Sequence, residues 1–327
     1  MRQLVFWVLG ASVMAGTLIA QGEPGAGKSN TCVICQALES PPNNGHQTIS
    51  VNVDLVLINA TVSDSKGRLV MGLQKEDFRI WEDKVEQKVE YFSNEDIPMS
   101  IGLVFDATGS MADKISTARD AAVAFLRLGN QEDEYFLVTF SQRSTLVEPF
   151  TTDIPRLQNH MLITPAKGMT PLFDAVYLGL ATMKNANNKR KALLLITDGE
   201  DNNSRYSFQD IKEFVREQDV QIFVIGIVSP SGELAPGESG RAILEGLAHI
   251  SNGEAFFPDS VDQLEDICSK IALELKNQYV LGYHSTNKAK DGKWRKLRLK
   301  VNPPRSMPNL SVRGKTGYYA ESLSTKS

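Results

Sequence analysis

The sequence predicts a doubly wound α/β fold, with a mostly parallel sheet covered by helices on both faces, inserted into a small antiparallel β domain. From Ile97 to about Asn277, apolar strand patterns alternate with helical patterns, which is typical of a parallel sheet with crossover helices. The flanking residues 47–96 and 278–321 carry only short strand patterns. We expect these two terminal segments to pair with each other and form one β domain.

The first 20 residues have the pattern of a secretory signal peptide, because Arg2 precedes the apolar stretch Leu4–Ala20. An uncleaved N-terminal anchor is the alternative, since the stretch is close to the shortest that spans a bilayer. We favour cleavage, which predicts a secreted, periplasmic or cell-envelope protein. No later stretch approaches membrane-spanning length, so we expect no membrane span after cleavage.

Residues 21–46 have the composition of a linker, rich in Gly, Pro, Ser and Asn. The stretch Gly22–Ser29 matches the nucleotide-binding P-loop pattern, but that motif works only between a buried strand and a helix. A local disulfide is the simplest interpretation of Cys32 and Cys35, with a redox pair or half a metal site as alternatives. Cys268 lies in a helical apolar pattern and is predicted to be buried.

Both terminal segments show strand signals. Alternation begins at Val51, Val53, Leu55 and Leu57. Further strands are predicted at Ala60–Asp64, Arg68–Met71, Phe78–Trp81 and Lys88–Phe92, and near the end of the chain at Gln278–Tyr283, Trp294–Val301, Leu310–Val312 and Gly317–Tyr319. Residues 322–327 form a tail.

The central segment, residues 97–277, supplies the strands and helices of the α/β domain. Strands are predicted at Ser100–Asp106, Glu134–Phe140, Thr145–Pro149, Ala192–Asp198, Gln221–Val228 and Glu254–Phe257. Helices are predicted at Asp113–Leu128, Ile154–Leu162, Pro171–Asn185, Ser207–Gln218, Arg241–Ser251 and Val261–Lys276.

Charge and histidine content narrow the possible functions. The formal net charge is −4, which gives no electrostatic reason to expect binding to nucleic acid or to an anionic membrane. The chain has four histidines, and none lies near a nucleophile-elbow sequence. A hydrolase of the Ser/His type therefore has little support.

Two apolar strands end at an aspartate, and this is the main functional signal. Asp106 ends the first strand and is followed by Thr108 and Ser110, while Asp198 ends a later strand. The carboxyl ends of parallel strands share one edge of the sheet. Thr170 is predicted to be the N-cap of a helix that begins at Pro171 and to face the same crevice. Each residue alone has an ordinary structural role, but oxygen groups that converge in this way suit Mg²⁺.

The stretches Asp106–Ser110, Thr170 and Thr197–Gly199 resemble the metal-ion-dependent adhesion site of von Willebrand factor A-type domains. The family pattern is Asp-x-Ser-x-Ser, then a distant Thr, then a distant Asp. This sequence departs from it only at Thr108, which keeps the hydroxyl, and the resemblance covers Ile97–Asn277. It implies a site for Mg²⁺, with Mn²⁺ or Ca²⁺ as alternatives.

By the same resemblance, Thr108, Ser110 and Thr170 contact the metal directly or through water. Asp106 and Asp198 mostly hold coordinating waters.

The flanks resemble secreted bacterial von Willebrand A-related proteins of the acidobacterial type. The resemblance rests on Gly72–Arg79, Trp81–Asp83 and Gly317–Tyr319. It adds architecture and little about function.

A Mg²⁺ ion takes about six oxygen ligands. Hydroxyl ligands leave it electron-poor and leave one position for an Asp or Glu of a partner. The sequence therefore predicts a metal-dependent protein-binding or adhesion module, not an enzyme, whose partner is a protein or matrix component with an exposed acidic group. Specificity would depend on the loops Glu200–Tyr206 and Ser229–Arg241.

Two alternatives stay open. One is a Mg²⁺-dependent phosphotransferase of the haloacid-dehalogenase type, in which Asp198 and Asp201 form an acidic pair and Thr139 or Ser141, with Lys191, binds phosphate. In this chemistry Asp106 would be the nucleophile, and a second carboxyl two residues later would be the general acid. Thr108 occupies that position and cannot replace it. The other alternative is an envelope protein in which the metal is purely structural.

Overall fold

The computed structural model describes residues 55–198, 201–227, 240–302 and 309–322. All of them lie in one compact unit, Asn52–Ser327. The predicted signal peptide, the linker with Cys32 and Cys35, and the first strand positions Val51 and Val53 lie outside the described residues. Across the described ranges, no helix is both long enough and apolar enough to cross a membrane.

A six-stranded sheet forms the centre of the α/β part, with strand order β10-β9-β8-β5-β6-β7. Its strands are β5 (Met99–Asp106), β6 (Glu134–Phe140), β7 (Ser144–Thr151), β8 (Arg190–Thr197), β9 (Gln221–Gly226) and β10 (Ala255–Phe256). Strand β7 is antiparallel to β6, and the other neighbours are parallel. All residues of β5 are buried, as expected for a central strand covered on both faces.

Six helices cover the two faces of this sheet. They are α1 (Ile115–Leu128), α2 (Ile154–Ile163), α3 (Leu172–Thr182), α4 (Phe208–Glu217), α5 (Gly240–Ile250) and α6 (Leu264–Lys276). Helices α1, α2 and α6 share one hydrophobic cluster with the sheet, and α3, α4 and α5 share the other. Cys268 is fully buried in the first cluster, as predicted. The predicted fold class is confirmed.

The remaining strands form two antiparallel sheets, with orders β13-β1-β11-β4 and β14-β12-β2-β3. Their bounds are β1 (Leu55–Ser63), β2 (Phe78–Glu82), β3 (Val85–Gln87), β4 (Tyr91–Ser93), β11 (Tyr279–His284), β12 (Trp294–Val301), β13 (Ser311–Gly314) and β14 (Gly317–Tyr319). Strand β1 pairs with β11, and β2 with β12, so strands from before and after the α/β part share sheets. One hydrophobic cluster contains side chains of both sheets. The exact domain boundaries stay predictions.

Some predicted strands differ from the structure. Arg68–Met71 is not a strand and makes only one isolated bridge, between Ser63 and Leu69. The predicted strand Lys88–Phe92 begins later, at β4. Strand β3 was not predicted, because Val85 is its only apolar residue and hydrophobic alternation cannot be seen over so short a stretch.

A buried ion pair joins the α/β part to the antiparallel sheets. The guanidinium of Arg313, on β13, bonds the carboxylate of Glu274 on α6 and lies 3.0 Å from Oε2 of Glu254. Glu274 is 2% exposed, and the Thr61 hydroxyl donates to it at 3.0 Å. Burial raises the pKa of the Glu274 carboxyl, and the charge of Arg313 opposes that rise. Arg313 therefore provides the cation that the buried Glu274 needs.

Replacing Arg313 by Met should destabilise the protein by about 2–4 kcal/mol, because Glu274 would stay buried without its cation. The measurement is the free energy of unfolding in urea at pH 7. Arg79→Met is the matched control, since the pair of Arg79 with Glu86 is about half exposed on both sides and its loss should cost under about 1 kcal/mol. Equal costs for the two variants would contradict the prediction.

Candidate metal site

Asp106 ends strand β5, and its carboxylate is fully buried. Oδ1 accepts hydrogen bonds from the backbone N–H of Thr108 at 2.9 Å and from its hydroxyl at 2.6 Å. Oδ2 accepts one from the Thr197 hydroxyl at 2.6 Å. The parallel register sets Phe105 opposite Ile196, which brings the ends of β5 and β8 side by side. Asp106 thereby fixes both its own loop and the end of the neighbouring strand.

A chain of side-chain hydrogen bonds runs from Asp106 to Asp198. The Thr108 and Ser110 hydroxyl oxygens are 3.1 Å apart, and the Ser110 hydroxyl donates to Oδ1 of Asp198 at 2.8 Å. Ser110 is exposed, whereas Thr108 is buried. Four of the five predicted ligands thus lie together at the carboxyl edge of the sheet, and Ser110 faces solvent.

Thr170, the fifth predicted ligand, lies on a loop that is tied to the Asp106 loop by backbone hydrogen bonds. Lys167 N–H donates to the Ala107 carbonyl at 2.9 Å, and Gly109 N–H donates to the Gly168 carbonyl at 3.4 Å. Thr170 is 4% exposed. In the ranges that the structure describes, its hydroxyl has no hydrogen-bond partner.

Gly168 lets the Thr170 loop pass close to Gln142, in the turn between β6 and β7. Its φ is +95°, in the left-handed region that favours glycine. A β-carbon there would lie 2.8 Å from Cγ and 2.9 Å from the backbone N of Gln142. A larger residue at this position would therefore force the Thr170 loop or Gln142 to shift.

The predicted capping role of Thr170 is wrong. Helix α3 begins at Leu172, with Pro171 in the N-cap position and no side-chain cap. The backbone of Thr170 instead pairs with Asn202: its N–H donates to Oδ1 of Asn202 at 2.9 Å, and its carbonyl accepts from Asn202 N–H at 3.1 Å. Held in this way, the Thr170 hydroxyl is not used by the helix.

The loop that follows Asp198 supplies the missing caps of α3. Phe173 N–H donates to Oδ1 of Asp201 at 3.3 Å, and Asp174 N–H donates to the Ser204 hydroxyl at 3.1 Å. These satisfy donors that a helix N-terminus otherwise leaves open. The contacts join positions about 30 residues apart, which the local sequence pattern could not show.

The sequence reasoning missed Lys114 as a site residue, and it named Thr197 only as part of a motif stretch, without a role. The Lys114 ammonium lies 2.8 Å from Oδ2 of Asp198, and the two side chains are 18% and 0% exposed. Lys114 occupies the N-cap position of α1, where a cation is unfavourable, and this was an available signal. The signal for Thr197 was a hydroxyl residue at the end of an otherwise apolar run.

The donors at this edge fit a hard divalent cation. They are carboxylate and hydroxyl oxygens, without nitrogen or sulfur ligands, as Mg²⁺ prefers, and the Thr170 hydroxyl bonds none of the described residues. Within the described ranges, no group of three or more His, Cys, Asp or Glu side chains could hold a metal. Since Asp106 and Asp198 are only two carboxylates, hydroxyls and water would have to complete the coordination.

Burial raises the pKa of the Asp106 carboxyl above its ordinary value of 3.8. The hydrogen bonds from Thr108 and Thr197 lower this pKa, and the nearby charge of Asp198 raises it. The ionised form of Asp106 therefore depends on its hydroxyl donors.

The phosphotransferase alternative needs Lys191 as its cation. Lys191 lies near the amino ends of the parallel strands, whereas Asp106 lies at their carboxyl ends. It pairs in register with Ser100, six residues before Asp106 on β5, a separation of about 20 Å along the strand. Its ammonium donates to the Met183 carbonyl at 3.2 Å. The prediction that Lys191 could bind a phosphate beside Asp106 is wrong.

Residues 101–200 match the sequence profile of the von Willebrand factor type A domain. This confirms the family resemblance drawn from the motif; the acidobacterial likeness of the flanks stays a prediction. No curated protein matches the chain.

Three solved structures are similar to parts of this chain at low sequence identity. The conserved hypothetical protein BatB from Bacteroides thetaiotaomicron is 17% identical, covers 54% of this chain and 99% of its own, and has a TM-score of 0.45. An aerotolerance-related membrane protein from Bacteroides fragilis is 18% identical, with coverages of 54% and 98% and a TM-score of 0.46. Proximal thread matrix protein 1 from the mussel byssus, with a zinc-occupied MIDAS motif, is 18% identical, with coverages of 61% and 50% and a TM-score of 0.49. Likenesses of this strength say nothing about function.

Replacing Thr197 by Val should cost about 1–3 kcal/mol in chelator at pH 7, because buried Asp106 would lose a donor. The substitution also raises the pKa of Asp106 further. The loss in free energy of unfolding should therefore be fully present above that raised pKa. It should shrink as the pH falls through the pKa, because the carboxyl is then protonated. Urea unfolding at pH 7 and at mildly acidic pH measures the size of the loss and its pH dependence.

Thr139→Val is the matched control for this change. Thr139 is buried near the end of the adjacent strand β6, and no hydrogen bond of its side chain is found in the described part of the chain. A cost for Thr197→Val no larger than the control's, or one independent of pH, would contradict the role assigned to Thr197.

Proposed function

We propose that the part of the chain that matches von Willebrand factor type A domains is a divalent-cation-dependent binding module. It would hold Mg²⁺ with Asp106, Thr108, Ser110, Thr170 and Asp198 and bind an acidic group of a partner protein or matrix component. One observation carries the proposal: a continuous chain of carboxylates and hydroxyls lies at the carboxyl edge of the sheet, beside a Thr170 hydroxyl that bonds none of the described residues.

The chain's own residues divide the work in this proposal. Asp106 is buried and fixes the loop, while the hydroxyls of Thr108, Ser110 and Thr170 are neutral ligands. When bound, the cation supplies positive charge and a coordination position for an external carboxylate. Exposed Ser110 lies on the side from which a partner can approach.

The burial of Asp106 favours binding over phosphotransfer. A nucleophilic carboxylate must reach its substrate, whereas Asp106 has no exposed surface and both of its oxygens accept hydrogen bonds from the protein. Together with the position of Lys191, this supports a non-enzymatic role. The signal-peptide pattern of residues 1–20 supports export.

Replacing Thr170 by Val should weaken Mg²⁺ or Mn²⁺ binding by about tenfold or more. Loss of a group that only supports a metal ligand already weakens binding by this factor, and loss of a ligand itself should weaken it at least as much. Stability should not fall, because the hydroxyl neither caps α3 nor bonds a described side chain. Titration calorimetry and thermal unfolding measure the two effects. Thr145→Val, at an exposed threonine of β7, is the control. Unchanged metal affinity in Thr170→Val would exclude this residue from the site.

Partner capture should depend on the metal and on Asp198. The immobilised protein, incubated with surface extract of the producing cell, should retain a partner in Mg²⁺ and release it in chelator. Asp198→Ala should lose capture while its circular dichroism stays near that of the wild type, whereas Asp262→Ala, at an exposed aspartate, should behave like the wild type. Metal binding without metal-dependent capture would instead favour the purely structural metal.

A further inference from the structure

We propose that Lys114 is a positioning residue that sets the charge of the metal site, so that the site binds its cation less tightly and an acidic ligand more tightly. The inference rests on the proposed function and deepens it. It concerns a residue that lies outside the Asp, Ser and Thr motif.

The two oxygens of Asp198 face different groups. Oδ1 accepts the hydrogen bond of the Ser110 hydroxyl at 2.8 Å, on the side of the proposed ligands. Oδ2 is 2.8 Å from the Lys114 ammonium. The Asp198 side chain is fully shielded, and that of Lys114 is 18% exposed, so solvent and salt screen this pair less than a surface pair. Lys114 thus binds the Asp198 oxygen that Ser110 does not contact, and Oδ1 stays directed at the proposed ligands.

The position of Lys114 is not explained by helix stability. It occupies the N-cap position of α1 and makes no side-chain cap. Ser, Thr, Asp or Asn would cap the helix there, and a cation is repelled by the positive end of the helix dipole. Among the described residues, the contact with Asp198 is the favourable interaction of this side chain.

A count of formal charges gives the consequence. Among the proposed ligands only Asp106 and Asp198 are charged, and together they carry −2, so a divalent cation alone balances the ligands. Lys114 adds +1 and makes the loaded site more positive than the ligands and cation are by themselves. Like charges repel the incoming cation, whereas a more positive site attracts a carboxylate more strongly. Removing the ammonium should therefore move the two affinities in opposite directions, which loss of a merely structural residue would not do.

The test compares Lys114→Met with Lys114→Arg, which keeps the charge, and with Lys288→Met at an exposed lysine. Titration calorimetry with Mn²⁺ alone should show about fivefold or greater tightening in Lys114→Met and wild-type affinity in the other two. The Mn²⁺-loaded proteins are then titrated with sodium acetate at constant ionic strength. Water-proton relaxation should show that acetate displaces bound water at lower concentration in the wild type than in Lys114→Met.

The outcomes are distinct. Equal or weaker Mn²⁺ binding by Lys114→Met overturns the inference, and so does tighter binding with an unchanged acetate response. A wild type that does not bind Mn²⁺ at all overturns the proposed function itself. Should Lys114→Met fail to fold, Lys114→Gln, which is neutral but can still donate a hydrogen bond, carries the same expectations.

Discussion

The buried carboxylate of Asp106 is the constraint on which the candidate site depends. A carboxylate without solvent must be satisfied by the protein, and here the donors come from its own loop, through Thr108, and from the next strand, through Thr197. The Thr197 donor is in place only if β5 and β8 are parallel and in the observed register. The sheet therefore fixes where the loop starts, and the loop in turn sets the positions of Ser110 and Thr170.

Glu274 is another buried carboxylate, and its charge is balanced in a different way from that of Asp106. Glu274 is bonded by a guanidinium, from Arg313, so its charge is already balanced. Among the described residues, the donors to Asp106 are the neutral groups of Thr108 and Thr197, and none of them balances its charge. The Arg313 pair lies where α6 meets the antiparallel sheets, whereas the Asp106 site lies at the carboxyl edge of the parallel sheet.

Lys114 modifies this charge without closing the site. It pairs with Oδ2 of Asp198, while Oδ1 stays with Ser110. A residue chosen for the helix alone would not be a lysine at an N-cap, so α1 gives up some stability at its first turn. Such departures from local preference are expected at functional sites.

The sequence by itself determined the alternation of strands and helices, the pairing of strands from both ends of the chain, and the residues of the motif. Periodicity reports which faces of an element are buried, and apolar runs that stop at Asp106 and Asp198 report where strands end. The sequence did not predict the short strand that begins at Val85, and it assigned a wrong helix-capping role to Thr170. The tertiary structure alone decided how the loops meet, because the bond of Asn202 to Thr170 and that of Lys114 to Asp198 join positions distant along the chain, and only folding brings their atoms within hydrogen-bond distance.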